Sequence, residues 1–303
     1  MEAVKKIEYL KSDWAGSPEP PPSYPSVLRL IRFLFGTLGY LFPRAAGRLA
    51  YRLFSTPRHR ARHRTSDSIL ESARLFEVLY GQQILKGYEW GKGDRTVLLV
   101  HGWESRGTAL RSFVPALVEN GFRVVAFDGP AHGNSGGRRT NLLHFGGAVR
   151  AVLHHIGGAY GIITHSFGGA STVFALSNLD PTLEVEKLVL IGAPSRMDKV
   201  LQDAIHTLNL PAPAARQFFR FLEKKVKFPV RHADVGTASG RHRVRQALII
   251  HDKKDDIVPF SEAQSTFEAW ENANLLVTEG CGHYRLMKNP DLIKRVADFI
   301  CES

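Results

Sequence analysis

From Arg74 to the C-terminus the hydrophobic pattern switches repeatedly between two periods. Thr96–Val100 (TVLLV) and Arg123–Phe127 (RVVAF) are short continuous apolar runs, the pattern of strands buried on both faces. Arg74–Trp90 reads as two short strands around Tyr80–Gly81, and Leu110–Glu119 as a helix closed by Gly121. Beyond these, the pattern predicts a helix over Asn141–His155, a strand ending at Thr164 and a helix over Phe167–Ser177. Strands at Lys187–Ile191, Gln246–Ile250 and Asn274–Thr278 follow, with helices after Ser261 and from Pro290. Such alternation predicts an α/β fold with a mainly parallel central sheet flanked by helices.

Two regions break the alternation. Ser195–Arg245 shows helical, basic stretches such as PAARQFFRFLEKKVKF and no clear strand, which predicts an inserted helical cap over residues 195–245. Residues 1–67 form an N-terminal extension ahead of a main domain over 68–303. Within it, Gly16–Pro25 (GSPEPPPSYP) has the composition of an extended linker, and little structure is expected before Ser26. Val27–Phe42 is strongly apolar but carries Arg29 and Arg32 and stops at Pro43, short of a bilayer span. A second helical segment, Ala45–Phe54, ends near Pro57, ahead of the basic run Arg58–Arg64. Two readings stand open for this extension: helices packed on the body or between copies of the chain, or peripheral membrane contact through residues 27–64.

Charge and cysteine content narrow the setting. The formal net charge of +11 favours acidic surfaces, yet no finger spacing or RNA-binding signature accompanies it, so nucleic acid is not an expected partner. Cys281 and Cys301 are too few for a disulfide framework and read as free thiols. The N-terminal stretch MEAVKKIEYLKSDW lacks the pattern of a secretory signal, and the expected location is cytoplasmic.

The strongest chemical signal is Thr164–His165–Ser166–Phe167–Gly168–Gly169, set between a predicted strand and a predicted helix. A tight strand-to-helix turn with small following residues projects the serine hydroxyl above the sheet, beside a helix N-terminus. From Arg74 onward the chain resembles the α/β-hydrolase superfamily of serine hydrolases, its esterase-, lipase- and lysophospholipase-like members with a helical cap. Thr164 stands where that family's G-x-S-x-G begins with glycine, a departure that crowds the strand side of the turn. Val100–His101–Gly102–Trp103 occupies the place of the family's oxyanion loop, and by similarity the backbone N–H groups of Trp103 and Phe167 are the oxyanion donors. Asp128–Gly136 resembles the family's D-x-P-G-H-G-x-S turn, with Asp128 and His132 as loop-shaping residues.

His251–Pro259 resembles the acid loop, whose register selects Asp255 over Asp252 and Asp256, and His283 follows the last predicted strand where the family places its catalytic histidine. The resemblance thus implies Ser166 as nucleophile, His283 as general base and Asp255 as orienting acid, in the chain order of an α/β-hydrolase. It implies cleavage of small acyl, monoacylglycerol or lysophospholipid-like esters through an acyl-enzyme. Two alternatives stay open: a prolyl-aminopeptidase-like amidase, and a relative that binds a small molecule without turning it over. There is no Walker-type or strand-linked GxGxxG sequence, and the histidines lack metal-ligand spacing, so neither cofactor nor metal is expected.

Overall fold

The apolar runs become the strands of a single sheet in the computed structural model, which describes residues 5–10, 26–61, 67–178, 180, 182–226 and 243–302. The linker expected over Gly16–Pro25, the end of the basic run and part of the predicted cap lie outside the described residues. Along the chain the strands are β1 (Ile7–Tyr9), β2 (Arg74–Tyr80), β3 (Gln83–Trp90), β4 (Thr96–Val100), β5 (Arg123–Phe127), β6 (Gly161–His165), β7 (Val185–Ile191), β8 (Val244–Asp252) and β9 (Ala273–Thr278). They pair in the order β1-β9-β8-β7-β6-β4-β5-β3-β2. The β2–β3 hairpin and the β3–β5 pair are antiparallel and all the other pairs parallel.

The helices are α1 (Ser26–Leu41), α2 (Pro43–Phe54), α3 (Ser68–Glu71), α4 (Val114–Glu119), α5 (Leu142–Ile156), α6 (Phe167–Asn178), α7 (Met197–Leu208), α8 (Ala212–Val226), α9 (Phe260–Ala269), α10 (Gly282–Arg285) and α11 (Pro290–Cys301). Alternate strand residues feed two cores. Leu98, Val100, Val125 and Phe127 pack with α5, α6 and α9 on one face, while Val97, Leu99, Val124 and Ala126 pack with α4 and α11 on the other. Burial on both faces is why these strands read as continuous apolar runs.

Two expectations are corrected. Ile7–Tyr9 adds a parallel edge strand to β9, with Leu275 N donating to Lys6 O (2.9 Å) and Leu10 N to Val277 O (2.9 Å). Backbone groups on an open sheet edge drive that pairing, so three largely exposed residues carry no apolar signature. The helix expected over Leu110–Glu119 instead opens as a 3-10 turn, Gly107–Phe113, before α4. Pro115 lacks an N–H and its ring would meet the carbonyl four residues back, so it stands in the first turn of α4 rather than inside a longer helix.

Between β7 and β8 the chain leaves the sheet to form α7 and α8. Onto these two helices α1 and α2 are packed, through a third apolar cluster containing Phe35, Ala50, Leu201, Ala214, Phe218 and Leu222. Gly47 permits the close approach of α2 and α8, because a Cβ there would lie 2.7 Å from the Phe218 backbone nitrogen. Arg32 donates to the carbonyls of His206 (3.1 Å) and Thr207 (2.7 Å), where the C-terminal end of α7 favours a cation.

Candidate active site

β6 ends at His165 and α6 begins at Phe167, which leaves Ser166 alone on the turn. Its φ of 53° lies in the left-handed region, a conformation costing a residue with a side chain about 1 kcal/mol. The turn is held by Ser166 N donating to Ile191 O (2.8 Å) and Gly169 N donating to Ser166 O (2.9 Å). Gly168 lets the first turn of α6 rest on the chain leaving β4: a Cβ there would lie 2.4 Å from His101 O. Thr164 is fully buried, and its hydroxyl donates to Val189 O at 2.8 Å on the neighbouring strand.

Asp255, from the loop after β8, and His283, from the short helix α10 after β9, come together at the same end of the sheet. The His283 Nδ1 lies 2.7 Å from Asp255 Oδ2, with both side chains buried. Burial opposes the Asp255 charge, but the His283 hydrogen bond and charge and the Val258 amide outweigh it and hold the carboxyl below its ordinary range. Its second oxygen accepts from the amides of Ile257 (2.9 Å) and Val258 (2.8 Å). Asp256 is exposed, and Asp252 is spent on the next loop, accepting from Thr278 Oγ1 (2.7 Å) and the Cys281 amide (2.8 Å). The three acidic candidates therefore have three environments, and only Asp255 meets the imidazole.

Other histidines surround this pair. The His165 ring sits 4.7 Å from the His283 ring, and its Nε2 lies 3.0 Å from His283 O. Burial, then the His283 ring, pushes the His165 pKa down to about 3, so it is a neutral N–H donor to that carbonyl. His251 donates from Nε2 to Val258 O (2.8 Å), with Asp255 Oδ2 3.5 Å away, and burial depresses its pKa too. Its Nδ1 is buried without a partner among the described residues.

The loop after β4 is tied to the Asp128 turn. His101 Nε2 accepts from the Gly129 amide (2.9 Å), and Asp128 accepts from the Gly107 amide (2.6 Å), the Asn134 amide (2.8 Å) and the Tyr88 hydroxyl (2.8 Å). His132 accepts from the Glu104 amide (3.0 Å), and its other ring nitrogen lies 3.0 Å from Pro130 O. Burial keeps this ring neutral, and its partners make it a brace for the loop. Trp103 packs edge-on against Phe167 with ring centres 5.3 Å apart, so the two residues expected as oxyanion donors are neighbours.

The alpha/beta hydrolase family pattern matches residues 97–296, from β4 into α11. The chain belongs to the alpha/beta hydrolase family. A serine hydrolase-like protein of Danio rerio is 36% identical over 78 residues, 25% of this chain and 24% of that relative, so the match spans about a quarter of the relative's length. Among solved structures, a Pyrococcus furiosus esterase superposes with a TM-score of 0.61 at 21% identity, covering 81% of this chain and 96% of that one. A bromoperoxidase of Bacillus anthracis gives 0.58 at 18% identity, covering 76% and 100%. At such identities the likeness concerns the fold.

Within the alpha/beta hydrolase family pattern, the departure at Thr164 has a physical resolution: the side chain turns toward β7 and its hydroxyl finds a carbonyl there. Sequence reasoning passed over His165, His251 and Glu262. The buried Glu262 accepts from the Ser195 amide (2.9 Å), the Ser195 hydroxyl (2.8 Å), the Arg196 amide (3.0 Å) and Lys199 (3.1 Å), anchoring the start of α7 to α9. Burial opposes its charge, and these donors more than offset it, lowering the pKa. His165, directly before Ser166, and His251, at the head of the His251–Pro259 stretch, stand inside motifs visible in the sequence, whereas Glu262 stands in none.

Proposed function

We propose that this family member is a serine hydrolase that cleaves carboxylic esters through an acyl-enzyme, with Ser166 as nucleophile, His283 as general base and Asp255 as the acid that orients it. The observation that carries the reading is the buried Asp255–His283 pair, 2.7 Å apart, at the strand ends where Ser166 is raised on its left-handed turn. A carboxylate that accepts Nδ1–H leaves Nε2 as the basic atom and stabilises the imidazolium that forms during reaction.

In the first half-reaction Nε2 takes the Ser166 hydroxyl proton as Oγ bonds to the ester carbonyl carbon. The amides of Trp103 and Phe167 donate to the oxyanion, each such donor being worth about 3 kcal/mol of transition-state stabilisation. The imidazolium then gives its proton to the leaving alkoxide, which departs as the alcohol. Water repeats the sequence on the acyl-enzyme, releasing the carboxylic acid and restoring Ser166. The α7–α8 segment is read as a cap that shapes the acyl pocket. Its apolar neighbours α1 and α2 support amphiphilic substrates, from small acyl esters to monoacylglycerol and lysophospholipid-like esters.

A p-nitrophenyl ester series of increasing acyl length tests this, with Ser166→Ala and His283→Ala alongside the wild type. The expected result is a chain-length optimum that both variants lose. Unchanged turnover in Ser166→Ala overturns the assignment, and turnover of amides alone would favour an aminopeptidase-like amidase.

A further inference from the structure

Helix α1 has two apolar faces. One, with Leu28, Ile31, Phe35 and Gly39, is turned inward and partly or fully buried. The other presents Val27, Leu30, Phe33, Leu34, Leu38 and Leu41 to solvent, Phe33 at 66% exposure and Leu41 at 71%. With one apolar face already seated on α7 and α8, the second apolar face of α1 has the character of an interaction surface.

Helix α2 adds charge to the same unit. Arg44, Arg48 and Arg52 recur at four-residue steps on its exposed side, next to the exposed row Ala45, Leu49 and Leu53. Across α1 and α2, from Ser26 to Phe54, the chain holds five arginines, Arg29, Arg32, Arg44, Arg48 and Arg52, and no aspartate or glutamate. Among the described residues no helix is long and apolar enough to cross a membrane, and α1 has 16 residues. Apolar rows flanked by arginine on short helices have the chemistry of an element lying in the plane of a bilayer.

We propose that the α1–α2 pair docks the protein on an anionic lipid bilayer, its apolar face among the upper acyl segments and its arginines against lipid phosphates. The exposed aromatic rings of Phe33, Tyr40 and Phe42 suit the headgroup boundary, where aromatic side chains concentrate. Charge decides between a bilayer and a second copy of the chain. Self-association through this face would bring two arginine-rich surfaces together with no carboxylate from either helix pair to separate them, a costly juxtaposition of like charges. The proposal stands apart from the catalytic reading and does not depend on it.

Co-sedimentation of the full chain with phosphatidylcholine vesicles, with and without a one-third share of phosphatidylglycerol, tests the docking. The wild type pellets with the anionic vesicles, stays in solution with the neutral ones, and is released by raised salt, a readout that needs no variant. The double substitution Arg44→Ser with Arg52→Ser weakens partitioning about 30-fold, as expected for losing two surface arginines. Leu30→Glu with Phe33→Glu abolishes it while leaving thermal unfolding unchanged. Absence of pelleting, equal pelleting with neutral vesicles, or binding indifferent to salt would overturn the proposal. A wild-type dimer in sedimentation velocity, dissociated by Leu30→Glu with Phe33→Glu and blind to vesicles, would assign the face to a second copy. Pelleting scores protein rather than turnover, so failure of the docking and failure of the esterase reading are separable.

Discussion

The strand ends around Ser166 and the α1–α2 pair invert each other's chemistry. At the strand ends, polar groups are buried, and Asp128, Asp252, Asp255 and Glu262 each hold several donors. On the helix pair, leucine and phenylalanine stand in solvent. Each departs from the usual partition of polar outside and apolar inside, and each does so at a place proposed to meet another molecule. The difference teaches where the cost falls. A buried polar network is rigid and sensitive to single-atom changes, because a lost partner strands a desolvated group. An exposed apolar row tolerates substitution until its partner arrives.

The sharpest way to break this contrast is at the acid. Asp255→Asn keeps the shape of the loop but removes the charge that fixes the His283 tautomer, and kcat/KM for p-nitrophenyl esters should fall about 10⁴-fold. Next in size is the buried side of the helix assembly. Phe218 is 1% exposed in the cluster joining α2 to α8, so Phe218→Ala should cost about 3–5 kcal/mol in urea unfolding of that unit. Its exposed counterpart should behave oppositely: Phe33→Ala should change stability by less than about 0.5 kcal/mol.

Between these extremes lies acid sensitivity. His132, His165 and His251 all have folded pKa values below the ordinary histidine value, and burial is the largest cause for each. Below pH about 6.5 the unfolded chain binds protons that the folded one refuses, so stability is fully present above that pH and is lost as pH falls toward the folded values. The urea midpoint should therefore drop between pH 7 and pH 5.5, and drop less in His165→Gln. A smaller effect is expected at Thr164. Thr164→Val removes the hydrogen bond to Val189 O, at a cost of about 1–2 kcal/mol in stability, with kcat unchanged.

How far the sequence speaks differs between the two regions in the same way. The sheet was legible because strands buried on both faces write continuous apolar runs, and the turns around Ser166, Asp255 and His283 follow those runs directly. Asp255 could be singled out only through family resemblance. Periodicity alone does not distinguish it from Asp252, whose partners Thr278 and Cys281 are distant in sequence. His165, His251 and Glu262 were missed for the same reason, since their roles arise from contacts across the sheet ends. For α1 and α2 the pattern announced apolar helices but not what covers them. On α1 the face on α7 and α8 and the face in solvent are both built of aliphatic and aromatic residues, so the packing of Phe35 and not composition tells them apart; on α2 the arginines mark the outer side. Ile7–Tyr9 was illegible because edge pairing rests on backbone groups that every sequence shares.

Whether Ser166 is an activated nucleophile is read directly by covalent labelling with a fluorophosphonate probe, followed by intact-protein mass. One adduct per chain is expected on the wild type, localised to Ser166, absent from Ser166→Ala and strongly slowed in His283→Ala. A folded wild type that takes no label, or a Ser166→Ala variant that labels as fast as the wild type, would contradict it.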